Sequence, residues 1–188
     1  MEDLDHRILT ALRAWGADPR VARATRALSW SGEHAALWIA AGALGAAADR
    51  ARRSTWVRAA ALTAGAHLAG MGVKRVVRRP RPAHTDPLVR TAGRHSFPSC
   101  HAASAAAAAL AYGPLGARAV PPLAAAMCLS RLVAGVHHPS DVVAGAALGA
   151  LTARLGARWM TGTRTPPAGA PHRPDRVRMF RGPGEGHR

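Results

Sequence analysis

Five uncharged runs, at 35–48, 59–73, 102–117, 119–136 with one break at Arg131, and 142–153, leave this chain few ways to fold. They are richer in Ala and Gly than in Leu, Ile or Phe, and the charged residues gather in the junctions between them. Each run is shorter than the roughly 18 to 20 apolar residues that a clean spanning helix wants. A mean hydropathy of -0.04 makes membrane embedding a weak reading on apolarity alone. Three features strengthen it. The runs are flanked by Arg clusters or by Trp30, Trp56 and Trp159, as at helix ends that sit in an interface. Gly42 with Gly45, and Gly145 with Gly149, are spaced to let helices approach closely. No run carries the polar stripe of a soluble amphipathic bundle. The expected fold is all-α, a polytopic membrane helical bundle of about five spanning helices; a soluble Ala-rich bundle is the alternative.

At 188 residues one domain is the default, and a core of ordinary size can be buried. The expected organisation is an amphipathic N-terminal segment at 1–30, the bundle at 31–160, and a disordered basic tail at 161–188. In the first segment Leu4, Ile8, Leu9, Leu12 and Trp15 recur at helical spacing with charges opposite, which reads as a helix lying on a surface. It lacks the continuous apolar core of a secretory signal. The tail is rich in Pro, Gly and Arg without periodicity. Cys100 and Cys128 have neither disulfide-framework nor zinc-ligand spacing. The formal charge of +16 first raises the thought of nucleic acid, but no aromatic interleaving or nucleic-acid motif accompanies it.

Three junctions concentrate the polar chemistry. The first, 74–82, follows the second run and contains Lys74, the single lysine of the chain. The second, Ser96-Phe97-Pro98-Ser99-Cys100-His101, precedes the third run and sets a hydroxyl, an imidazole and free backbone N–H groups at a helix start, where anions bind. The third holds Ser130-Arg131, then His137, then Asp141, at the junction of the last two runs. If the runs alternate in direction, all three junctions fall on one face. Several fixed cations, two His and one Asp on one face suit a phosphoryl group, whose oxygens Arg grips bidentately.

These residues resemble the signature of the type 2 phosphatidic acid phosphatase (PAP2) superfamily: Lys, six residues, Arg-Pro; then Pro-Ser-Gly-His; then Ser-Arg, five residues, His, three residues, Asp. Lys74, Arg81 and Pro82 match the first part, Pro98, Ser99 and His101 the second, and Ser130, Arg131, His137 and Asp141 the third. The signature spans 74–141, and the helical pattern extends the resemblance to about 33–160. Cys100 stands where the family has Gly, a substitution that strains the backbone only if φ is positive there. The resemblance implies catalysis by His137 as nucleophile, Asp141 holding its other ring nitrogen, and His101 as acid and then base. It implies that Lys74, Arg81, Ser99 and Arg131 bind the phosphoryl oxygens, with no metal and no cofactor. Asp141 is the single carboxylate in the three junctions, too few hard ligands for Mg²⁺. His34, His67 and His138 fall outside the signature, and Arg75, Arg78 and Arg79 read as interfacial cations.

A site at the membrane end of such helices implies a lipid-linked phosphate as substrate and membrane lipids as partners, in a multi-pass cell-membrane protein whose oligomeric state is not encoded. Compact size and the run from Gly32-Glu33-His34 through 74–79 are similar to small actinobacterial members that act on a polyprenyl-linked phosphoribose of cell-wall arabinan synthesis. Undecaprenyl diphosphate and phosphatidylglycerophosphate phosphatases are the alternatives within the superfamily. The vanadium haloperoxidases, from another enzyme class, share the anion site but are soluble and much larger. Lys and Arg divide evenly between the two sides of a five-crossing arrangement, so charge leaves orientation open; the Arg-bearing N-terminal segment favours a site on the cytoplasmic side.

Overall fold

The computed structural model describes residues 2–83, 86–91 and 93–162. The expected basic tail, beyond its first two residues, lies outside them. Seven helices follow in order: α1 Glu2–Ala14, α2 Pro19–Ser31, α3 Ala36–Ala48, α4 Arg53–Val77, α5 Cys100–Tyr112, α6 Val120–Val133 and α7 Pro139–Thr161. Among the described residues there is no strand, only an antiparallel bridge between Pro80 and His95. The all-α expectation is borne out, and helices α3 to α7 fall on the five uncharged runs.

Helix α5 is the axis of the bundle and packs against α3, α4, α6 and α7. Ala102, Ala103, Ala105, Ala107 and Ala108 are all fully buried, so α5 is apolar around its whole circumference and small on every side. Small residues let backbones meet. A Cβ on Gly149 would lie 2.0 Å from the Ala103 carbonyl oxygen, and one on Gly145 would lie 2.3 Å from that of Ser99. Gly42 lies under the Tyr112 hydroxyl and Gly45 under the Trp56 ring. The two glycine pairs are thus contact points of the bundle.

Two expectations are corrected. Trp56 is not an interface anchor: it is buried, stacks on Tyr112 with ring centres 5.5 Å apart, and donates Nε1–H to Asp49. The N-terminal segment is not one helix but two. A tight turn at Trp15–Ala17 ends α1, and Asp18 caps α2 by accepting from the Arg20 and Val21 amides, with Pro19 in the first turn.

By rise per residue, α4 and α7 extend about 37 and 35 Å, whereas 13 residues of α5 give about 20 Å. No described helix is both long and apolar enough to cross a membrane. The two longest carry Arg53, Arg58, Lys74 and Arg75, or Arg154 and Arg158, within their spans.

Candidate active site

Chain alternation brings the C-terminal ends of α2, α4 and α6 and the N-terminal ends of α3, α5 and α7 to one end of the bundle. The loop from α4 to α5 is clamped at its base, where the Ser96 amide donates to the Arg79 carbonyl and its hydroxyl to that of Pro80. It then leans on the α6–α7 junction through the Leu88 amide and the Ala134 carbonyl. Under it lies a cavity of about 290 Å³, walled by Lys74, Arg81, Arg131, His101 and His137 among others. Five of the seven site residues expected from the sequence therefore meet on one cavity.

Three of them are held from behind. Arg81 donates Nε–H to the Gly93 carbonyl and Nη1–H to that of Val136, and burial lowers its pKa. Arg131 is buried and gives Nη1–H to the Ser29 hydroxyl at 2.6 Å, while its Nε finds no hydrogen-bond partner. His101 Nε2 lies 3.3 Å from the Ser29 carbonyl oxygen. A carbonyl only accepts, so the proton sits on Nε2. A Cβ on Gly32 would lie 2.7 Å from the His101 ring, so this glycine makes room for the imidazole.

His137 is buried between α6 and α7. Burial first, then the charges of Arg131, Arg81 and Lys74, hold its pKa down to about 3 against the pull of Asp141. Its imidazole is a neutral base at any working pH. The last two expected residues stand behind the cavity wall. Ser99 is the N-cap of α5: its hydroxyl accepts from the Ala102 amide and its own amide donates to the Asp141 carbonyl. Asp141 closes the start of α7, accepting the His138 amide at 2.8 Å. Its Oδ2 is 3.2 Å from Nδ1 of His138 and 3.6 Å from Nδ1 of His137. The carboxylate expected on His137 is thus bonded to the adjacent imidazole and stands just beyond hydrogen-bond reach of His137.

Cys100 opens α5 in ordinary right-handed helix, so its replacement of Gly carries no backbone strain. Its side chain lines the cavity and faces Gly70, which leaves room for the sulfur.

Several residues here escaped sequence reasoning. Arg79 is no interfacial cation: Nη1–H reaches the Ser140 hydroxyl at 2.7 Å and Asp141 at 3.0 Å, and Nη2–H reaches Asp5 at 3.2 Å. Asp5 of α1 is buried and accepts both the amide and the hydroxyl of Ser140, giving the α7 N-terminus a second cap. Burial works against its charge, but these bonds and Arg79 hold its pKa below the usual carboxylate range. An acid on the buried side of an otherwise solvated helix was the available signal. Ser29 gave none, since an isolated Ser late in a helix predicts nothing. His34 and His67, set aside by the sequence, both line the cavity.

Comparison with known proteins accords with this geometry. Residues 55–164 match the PAP2 superfamily. A decaprenylphosphoryl-5-phosphoribose phosphatase of Mycolicibacterium smegmatis is 47% identical over a match that covers 73% of this chain and 79% of that protein. The protein of the same name from Mycobacterium tuberculosis is 45% identical, with 70% of this chain and 76% of that one covered. In fold, a crystal structure of a transmembrane PAP2 type phosphatidylglycerolphosphate phosphatase from Bacillus subtilis superposes with a TM-score of 0.71 at 21% identity, covering 87% of this chain and 88% of that chain.

Proposed function

The chain belongs to the PAP2 superfamily, and from that premise we propose that it is a metal-independent lipid phosphate phosphatase acting on a polyprenyl-linked phosphosugar, with decaprenylphosphoryl-5-phosphoribose, named for its relatives, as the preferred substrate. The observation that carries the reading is the convergence of Lys74, Arg81, Arg131, His101 and His137 on one cavity. Three fixed cations supply the charge neutralisation that other phosphatases draw from a metal ion.

With Asp141 on the Nδ1 side of His137, Nε2 is the attacking nitrogen. A bond forms from Nε2 to phosphorus as the bond from phosphorus to the sugar oxygen breaks; His101 keeps its Nε2 proton on Ser29, takes a second proton on Nδ1 from the monoprotonated phosphate as it binds, and gives that proton to the leaving oxygen. Water then attacks the phosphohistidine, His101 takes its proton, and the nitrogen–phosphorus bond breaks to release phosphate. Cation developing on His137 draws Asp141 closer than its resting 3.6 Å, since catalytic contacts tighten with substrate bound. Ser99 caps α5, keeping its amides aimed at the site.

The same reading makes the protein multi-pass in the cell membrane. Its support is the family membership together with an apolar exterior, on which Leu44, Leu68, Val143 and Leu155 stand exposed. Individually short helices are compatible with a site sunk to the level of the lipid headgroups.

The test is phosphate release from a panel of lipid phosphates by detergent-solubilised wild type and His137→Ala. Wild type is expected to favour the prenyl phosphosugar over undecaprenyl diphosphate and phosphatidylglycerophosphate; the variant is expected to release nothing, while EDTA leaves wild type unaffected. Loss of activity in chelator, or turnover by the variant, refutes the mechanism.

A further inference from the structure

The cavity is larger than one phosphoryl group requires, and its lining is mixed in chemistry. Beside the cations Lys74, Arg81, Arg90 and Arg131 it holds Glu33, His34 and His67, and among the described residues that line it Glu33 is the one carboxylate. A carboxylate repels phosphate but accepts from a neutral hydroxyl. The His67 ring is more than nine-tenths buried in α4, and its Nδ1 has no hydrogen-bond partner. His34 stands beside it with ring centres 6.4 Å apart, the planes tilted by 42°.

The backbone that presents Glu33 and His34 is held in a costly shape. His34 at φ 52 and Ala35 at φ 62 are consecutive left-handed residues with side chains, a conformation that L residues avoid unless their surroundings enforce it. The enforcement is visible: Ala35 is fully buried in the main core and Gly32 is pressed against His101 and Met127. The bend carries the chain from the end of α2 into α3 and brings an acceptor and an imidazole to the cavity. The segment lies outside residues 55–164, the part that matches the superfamily.

We propose that Glu33, His34 and His67 form a hydroxyl-reading subsite beside the phosphate site, which binds the polyhydroxylated ring carrying the phosphate and selects sugar phosphates over phosphates on hydroxyl-free carriers. The proposal rests on the phosphatase reading and deepens it. Sugar hydroxyls are donor and acceptor at once, so one ring can donate to Glu33 and bond the imidazoles of His34 and His67 that line the same cavity. A site built to bond a hydroxyl rejects the analogue that lacks it, because its own buried polar groups are then left unpaired.

The experiment measures kcat/KM for two substrates with the same prenyl tail, a phosphopentose and a simple alkyl phosphate, in wild type, Glu33→Gln and His67→Gln. A 2-deoxy-pentose analogue is run beside them. Wild type is expected to prefer the phosphopentose, and each variant to lower the pentose-to-alkyl ratio by on the order of tenfold or more. Removing the hydroxyl is expected to cost wild type more than it costs the variants. Glu33 is exposed, so Glu33→Gln serves if His67→Gln fails to fold. If wild type turns over both substrates with no preference, or the variants keep the wild-type ratio, the subsite is overturned while the phosphatase reading stands. If wild type releases phosphate from neither, the phosphatase reading falls and the subsite with it.

Discussion

His137 shows how a single side chain acquires its chemistry from its surroundings. In an unfolded chain it titrates near 6.5, whereas in the fold burial and three cations hold it down to about 3. The unfolded state therefore binds the proton more readily between those values, and stability conferred by this group is complete above about pH 6.5 and lost as pH falls toward 3. The melting temperature in detergent is expected to drop from pH 7 to pH 5, and His137→Gln, which cannot charge, is expected to shrink that drop; an unaltered slope in the variant refutes the assignment. The expectation for this residue came from the resemblance of Ser130-Arg131, His137 and Asp141 to the family signature. Its competition with His138 for one carboxylate was not legible, since Asp141 also closes the helix start and its oxygens point where the cap requires.

At the scale of elements, the five uncharged runs were legible as helices, and alternation correctly gathers their polar ends. Two things were hidden. Exposure could not be read from composition, so Trp56 seemed an anchor although it fills the space above Gly45. Nor could periodicity reveal what α1 docks against, because an apolar stripe looks the same whether it meets lipid or another helix. Asp5 resolves this: α1 packs against α6 and α7 and braces Arg79 and Ser140, which in turn steady Asp141. Asp5 is a positioning residue. Asp5→Asn keeps the shape but weakens the three bonds from Arg79 and Ser140, and is expected to lower kcat by about ten- to a hundredfold, as lost support of a site residue does elsewhere, with KM little moved. Asp5→Glu is expected to restore part of the rate. Equal changes in kcat and KM, or a loss tracked entirely by melting temperature, point instead to general destabilisation.

Taken whole, the molecule crosses its helices at small residues, packs Trp38, Trp56, Tyr112 and Met127 around those crossings, and leaves Leu44, Leu68, Val143 and Leu155 on the outside. Ala in the core and Arg at the helix ends average to a mean hydropathy near zero. Expressed in cells, the protein is expected to pellet with membranes after an alkaline carbonate wash and to need detergent for release; recovery in the wash overturns the embedding. The brace at Asp5 carries a last consequence, for synthesis. Residues 5 and 140 are joined across 135 positions, so α1 waits during synthesis for α7 before either is secured. The proposed site closes only when α7 has been made, and a nascent chain halted short of it holds Lys74, Arg81 and Arg131 without the structure that aligns them.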